Sequence, residues 1–202
     1  MKRLILIAFF PLFIVSTWDL SAQENFDVVL VPRECLTETE QHLARLINEY
    51  RSKKGLPAVE LSASLSYVAK AHSRDLKQNH THSGRCNLHS WSKKGAWSAC
   101  CYTPDHKRAE CMWNKPRELT SYTGDGYEIA YYNSRPLDDP LEYAEDILKS
   151  WQGSPAHHMV IINRGIWRNV KWKAMGIGIC NEYVTVWFGK EADPSGIPDL
   201  CN

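Results

Sequence analysis

The segment from Trp151 to Phe188 narrows the possible folds more than any other part of the chain. It opens on the end of an apolar helical stripe and breaks at Ser154-Pro155. Two extended, glycine-flanked runs follow, Gly176-Ile-Gly-Ile-Cys180 and Tyr183-Val-Thr-Val-Trp-Phe188. Only Asn181-Glu182 separates them, so they can pair as a hairpin. Val170-Lys-Trp-Lys-Ala174 alternates apolar and basic residues and also reads as strand. An antiparallel sheet is therefore built late in the chain, and the earlier segments must supply what covers it.

Those earlier segments are helical. Thr37-Glu-Thr-Glu40 fits a capping box, in which the hydroxyl and the glutamate each satisfy a free backbone N–H. Leu43, Leu46, Ile47 and Tyr50 follow at helical spacing, and Gly55 ends the segment. A second helix starts at Ser62, with Leu65, Val68, Ala69, His72 and Leu76 along one stripe. Asp138-Asp139-Pro140 starts a third, with an aspartate cap and proline at the first helical position. Its stripe is Leu141, Ala144, Leu148 and Trp151. Residues 77–126 show no sustained period and read as a long loop region pinned by disulfides. Helices first and strands later predict an α+β fold, with helices packed on an antiparallel sheet.

Met1-Lys2-Arg3 and the apolar run Leu4 to Val15 read as a signal peptide, since a membrane-spanning helix needs about 20 residues. Cleavage is expected after Ala22, leaving 23–202 as the mature chain. With 24 Lys/Arg against 23 Asp/Glu, the charge is balanced and gives no nucleic-acid footprint. The seven cysteines, at 35, 86, 100, 101, 111, 180 and 201, contain no C-x-x-C pair. In an oxidising compartment they are read as disulfide partners. Adjacent Cys100 and Cys101 should each reach elsewhere, and an odd count leaves at least one thiol free or intermolecular.

Two histidines and a carboxylate sit beside turn or strand signals and can converge on one cleft. His89 lies in Cys86-Asn-Leu-His-Ser-Trp91, Glu128 in Gly126-Tyr-Glu-Ile-Ala130, and His157 just after Ser154-Pro155. Together they could hold a divalent metal. Each also has a plainer reading: a surface histidine, a strand glutamate facing water, a helix-capping histidine. His72, on an apolar stripe, is read as a satisfied core histidine rather than a ligand. His80 and His82 form a competing H-x-H pair, and Asn79-His-Thr81 matches a glycosylation acceptor. Gly176-Ile-Gly178 lacks the rest of a dinucleotide fingerprint, and no G-x-S-x-G elbow is present.

Several of these segments together resemble the superfamily of cysteine-rich secretory proteins, antigen 5 and plant pathogenesis-related proteins, the CAP or SCP-like domain. Asn48-Glu-Tyr-Arg51 with Gly55-Leu56 is similar to its first helix, and Ala69-Lys-Ala-His-Ser-Arg-Asp-Leu76 to its second. Cys86-Asn-Leu-His89-Ser90 resembles the plant members' Cys-x-Leu-x-His-Ser with one residue fewer. Gly126-Tyr-Glu128-Ile-Ala resembles Gly-Glu-Asn-Leu/Ile-Ala, with Tyr inserted and Asn absent. Trp151-Gln-Gly-Ser-Pro-Ala-His157 resembles the bacterial Trp-x-x-Ser-Pro-Gly-His. Asn163, Trp167, Gly176-Ile-Gly-Ile179 and Trp187-Phe-Gly189 match the terminal strands.

The resemblance covers about residues 37–190 and implies an α-β-α sandwich. It also implies a cleft tetrad of two histidines and two glutamates, of which His89, Glu128 and His157 carry over while the second glutamate falls at Ser154. His89 and His157 would be the metal ligands, with Zn²⁺ or another divalent cation as the possible cofactor. One domain is expected over 36–190, with a Cys-rich insertion at 91–125 folded over the cleft mouth and a tail at 191–202. Trp91, Trp97 and Trp113 in the insertion could line a binding surface or form the small core of a stapled loop. The function expected is a secreted module recognising a lipid, peptide or cell-surface ligand. The alternative is a metal-dependent hydrolase with Glu128 as general base. A third possibility is a purely structural exoprotein that takes up no metal.

Overall fold

A computed structural model describes residues 34–80 and 82–201, so the leader expected at 1–22 lies outside the described residues. Helix α1 spans Glu38–Lys53 and carries the capping box expected at its start. The Glu40 N–H donates to Thr37 Oγ1 at 3.4 Å, and Thr37 N–H donates to Glu40 Oε2 at 2.8 Å. Glu40 is fully buried and also accepts from Lys70 Nζ at 2.7 Å and from Ile179 N–H at 2.9 Å, so the box ties three elements together. Strand β1 is the short Glu60–Leu61. Helix α2, Ala63–Asn79, is capped by Ser62, whose hydroxyl accepts from Leu65 N–H.

The region read as a long loop contains two short helices, α3 (Glu110–Trp113) and α4 (Lys115–Leu119). Strand β2 is Gly126–Tyr132, and helix α5 is Pro140–Gly153 with Asp139 as its cap. Asp139 Oδ1 accepts from both Leu141 and Glu142 N–H at 2.9 Å. Helix α6, Pro155–Ile161, starts across the Ser154 turn, and strands β3 (Ala174–Cys180) and β4 (Tyr183–Gly189) form the expected hairpin.

The sheet order is β1-β3-β4-β2. Strands β2, β4 and β3 are antiparallel, as expected, and β1 adds a two-residue parallel edge against β3. The alternating run at 170–173 is not a strand. The Asn163 side chain donates to the carbonyls of Trp167 and Val170 and holds that stretch as a loop after a 3-10 turn at Gly165–Trp167. Its alternation has another origin: Trp172 is buried while Lys171 and Lys173 are exposed.

Each sheet face carries its own apolar layer. On one, Leu43, Ile47, Ile147, Leu148 and Trp151 of α1 and α5 meet Ile129, Ile177, Val186 and Phe188. On the other, Leu65, Val68 and Ala69 of α2 meet Ala174 and Trp187, joined by Trp91, Tyr102 and Met112 from the insertion. The result is the α-β-α sandwich, an α+β fold. Gly176 and Gly178 face α2, where a Cβ would fall 2.0 Å from the backbone carbon of Leu65 and 2.3 Å from that of Ala69. These glycines serve close approach of helix to sheet, and that approach brings His72 of α2 down onto the sheet.

Three disulfides close the described chain: Cys35–Cys201, Cys86–Cys101 and Cys100–Cys111, with Cys180 left as the free thiol. The segment after β4 returns to the start of α2, where Asp193 accepts from Ser62 Oγ, Ser64 Oγ and Ser64 N–H. Among the described residues no helix is long and apolar enough to cross a membrane.

Candidate functional site

Glu128 sits in β2 opposite Trp187 of β4, and its side chain is fully enclosed. A carboxylate so placed must be compensated, because an unpaired buried charge costs several kcal/mol. Two imidazoles do this. His89 Nδ1–H donates to Glu128 Oε1 at 2.7 Å, and His72 Nδ1–H donates to Glu128 Oε2. Burial pushes the Glu128 carboxyl up, but the charge and hydrogen bond of His72, with those of His89, outweigh it and hold the group below the usual carboxylate range.

His72 was read from sequence as a satisfied core histidine. It is satisfied, and its partner is the site carboxylate. Its second nitrogen, Nε2, faces the Ser90 carbonyl at 3.0 Å. Carbonyl and carboxylate only accept, so this geometry calls for a proton on each ring nitrogen, the His72–Glu128 pair holding the extra one between them. Trp91 stacks on the His72 ring at 4.3 Å between centroids, nearly parallel, and Trp187 meets it edge-on at 6.3 Å. The only sequence signal for this role was a histidine on an otherwise apolar stripe.

The insertion presses the first histidine into place. Trp91 and Cys100 exchange backbone hydrogen bonds, Asn87 N–H donates to the Tyr102 carbonyl, and Cys86–Cys101 staples the same two segments. His89 N–H donates to Asn87 Oδ1, and the Tyr102 ring lies 5.2 Å from the His89 ring. The insertion thus packs on the α2 side of the site. Trp91 is 2 % exposed and Trp97 packs edge-on against it, as the core of the stapled loop. Trp113 instead packs on Tyr127 of β2.

His157 comes from the opposite layer, on α6. That helix is fixed to α1: Tyr50 OH lies 2.8 Å from His158 Nε2, and the buried Arg51 guanidinium donates to the Ile161 carbonyl at 2.6 Å and Asn163 Oδ1 at 2.7 Å. His158 is therefore a packing residue, while His157 has no hydrogen-bond partner among the described residues. Burial, and then the neighbouring His89, lower the His157 pKa to about 4, against the opposing pull of Glu128. Ser154 is the turn residue between α5 and α6, and its side chain makes no cap hydrogen bond. His80 and His82 lie elsewhere, against Tyr183 and Tyr132 at the hairpin end.

The donor set available to a cation is small. His89 keeps Nε2 free, and His157 is neutral and unpartnered, but both Glu128 oxygens are taken and Ser154 offers a hydroxyl. No group of three or more His, Cys, Asp or Glu side chains is gathered as a metal site among the described residues. The three-protein-ligand set of a hydrolytic zinc centre is not gathered among the described residues.

One consequence is a pH effect on stability. An unfolded His157 titrates near the ordinary value of about 6.5, whereas the folded one titrates at about 4. Between these values the unfolded chain takes up a proton that the folded site refuses, so stability falls as pH drops through that window. With solvent screening at this half-buried group, the loss should be about 2 kcal/mol. His157→Gln should flatten the difference between denaturation curves at pH 7 and pH 4.5; an unchanged difference would show that His157 is not the group responsible.

Comparison with known proteins agrees with the geometry. The described fold resembles an extracellular protein containing an SCP domain from Bacillus anthracis, with TM-score 0.50 and 17% identity over 76% of this chain and 40% of that one. A cysteine-rich secretory protein from Staphylococcus aureus aligns with TM-score 0.46 and 19% identity over 76% of this chain and 38% of that one. This chain thus spans about two fifths of the length of those structures. No curated protein matches it. The model of the cysteine-rich secretory protein family matches residues 44–188, which hold both sheet layers and all of His72, His89, Glu128 and His157, and the chain belongs to that family, the CAP domain proteins.

Proposed function

We propose that this protein is a secreted binding module whose cleft presents two imidazoles to a lipid, peptide or cell-surface ligand and can hold a divalent cation weakly. One observation carries the reading: Glu128 accepts from His89 Nδ1–H, which fixes the ring and leaves Nε2 without a hydrogen-bond partner among the described residues. A carboxylate orienting an imidazole in this way is how proteins prepare a histidine to bind a metal or a donor group. The three disulfides suit export to an oxidising compartment.

The hydrolase alternative is weaker on the same geometry. A general base must reach a water, and the Glu128 side chain is fully enclosed with each oxygen turned to an imidazole. Two imidazoles are also one ligand short of the usual catalytic zinc set.

Calorimetry with Zn²⁺ tests the cleft. Binding should be weak, roughly micromolar or poorer, since only two protein ligands contribute. The double variant His89→Ala/His157→Ala should lose it, and His80→Ala/His82→Ala should keep it. Loss in the second variant alone would move the metal to the hairpin end, and full affinity in both would mean that no metal site exists in the cleft. Turnover of a peptide or ester panel that disappears on Glu128→Gln with metal still bound would reinstate the hydrolase.

A further inference from the structure

A second concavity lies between the end of α2 and the stapled insertion. It is a cavity of about 380 Å³, within the range of small-molecule sites. Its apolar wall is built from Trp91, Ala99 and the half-cystines Cys86, Cys100 and Cys101. Its polar rim is Asn79, His80, Ser83, Ser92, Lys93 and Arg108, and no carboxylate lines it.

Two features of that rim point to the ligand. Lys93 and Arg108 are exposed, stand fifteen positions apart in the chain, and have no ion-pair partner among the described residues. Arg117, Lys115 and Lys107 of the same region are each paired with a carboxylate, whereas the two cations at the cavity are not. Asp75, which touches the rim residues Ser92 and Asn79, is buried and already accepts from Ser92 N–H at 2.7 Å, Ser92 Oγ at 2.5 Å and Asn79 Nδ2 at 2.8 Å. Its oxygens are therefore turned to Ser92 and Asn79, which leaves the cavity lined by one sign of charge.

We infer that this cavity binds a small organic anion, an apolar or aromatic body bearing a phosphate, sulfate or carboxylate head. The head would sit between the Lys93 ammonium and the Arg108 guanidinium, where charge-assisted hydrogen bonds are strongest. The body would lie on the wall of Trp91, Ala99 and the disulfides, where burial of apolar area adds to affinity. The site uses neither His89 nor His157: it is lined by the end of α2, the loop after it and the insertion.

Phenyl phosphate, inorganic phosphate and benzyl alcohol separate the two contributions. In calorimetry on the oxidised protein, phenyl phosphate should bind at least about tenfold more tightly than inorganic phosphate or the neutral alcohol, because each of those lacks one half of the recognition. Lys93→Gln/Arg108→Gln should weaken phenyl phosphate at least about tenfold, and the charge-retaining Lys93→Arg/Arg108→Lys should restore most of it. Both pairs are exposed and unpaired, so an unchanged unfolding midpoint is expected and certifies the comparison. Zn²⁺ binding by His89 and His157 should be unaffected, which separates failure here from failure of the cleft. Equal affinity for phenyl phosphate in the wild type and the glutamine variant would overturn the proposal, as would equal affinity for the phosphate ester and the alcohol.

Discussion

Glu128→Ala should destabilise the fold by about 3–5 kcal/mol, the usual cost of removing one partner from a buried charged pair. The reason is what remains. His72 is fully buried, its Nε2 is committed to the Ser90 carbonyl, and Glu128 is the acceptor for its other nitrogen. Without that carboxylate, His72 must either give up a proton or carry an uncompensated charge between Trp91 and Trp187. Removing both partners together should cost less than the sum of the two single changes, because no charge is then stranded. Urea denaturation of Glu128→Ala, His72→Phe and the double variant measures this coupling. A loss under about 1 kcal/mol for Glu128→Ala, or strict additivity, would mean that the two side chains do not act as a pair. The single variant should also release His89, so its effect on ligand binding is expected to exceed that of His72→Phe.

The contrast between Glu128 and His72 marks what the sequence could and could not reveal. Helix starts were legible because capping is local: Thr37 with Glu40, Ser62, and Asp139 with Pro140 all act within three or four residues. The hairpin was legible because both strands are seven residues long and only Asn181-Glu182 joins them. The short helices α3 and α4 were not, since four or five residues cannot display a helical period. His72 announced its burial through its place on the α2 stripe but not its partner, which lies 56 positions away and across a layer. His89 meets Glu128 through a hydrogen bond, while His157 stands on α6, in the opposite layer. Ser154 is the turn residue between α5 and α6, bonded through its backbone to Trp151 and His158, with no side-chain cap bond.

Disulfide pairing was equally out of reach, yet its logic is plain in three dimensions. Cys100 lies in an extended bridge with Trp91, and successive side chains of an extended chain point to opposite sides. Cys100 therefore turns inward to Cys111, and Cys101 turns the other way to Cys86. The adjacency that looked awkward in sequence lets one short segment hold two loops.

Breaking the disulfides one at a time should separate stability from site geometry. Cys35–Cys201 spans 166 positions, and the chain-entropy model gives about 5 kcal/mol for a loop of that length. Cys86–Cys101 spans 15 positions and by the same model contributes about 3 kcal/mol. Stability alone would rank the long bridge as the more important. Function should rank them the other way. The long bridge joins two ends that touch through Leu36 and Asp199, away from His72, His89 and Glu128. The short one holds the turn that carries His89 and the Ser90 carbonyl, three and four residues from Cys86. Cys35→Ser/Cys201→Ser should therefore lower the unfolding free energy most, while leaving Zn²⁺ affinity within about twofold of wild type, since distant sites behave independently. Cys86→Ser/Cys101→Ser should lose less stability and at least about tenfold in affinity, because an imidazole no longer held on Glu128 must be ordered when the ligand binds. Guanidinium unfolding and calorimetry on the two variants give both numbers for each. If the long-bridge variant loses the affinity and the short-bridge variant keeps it, the insertion does not position the site.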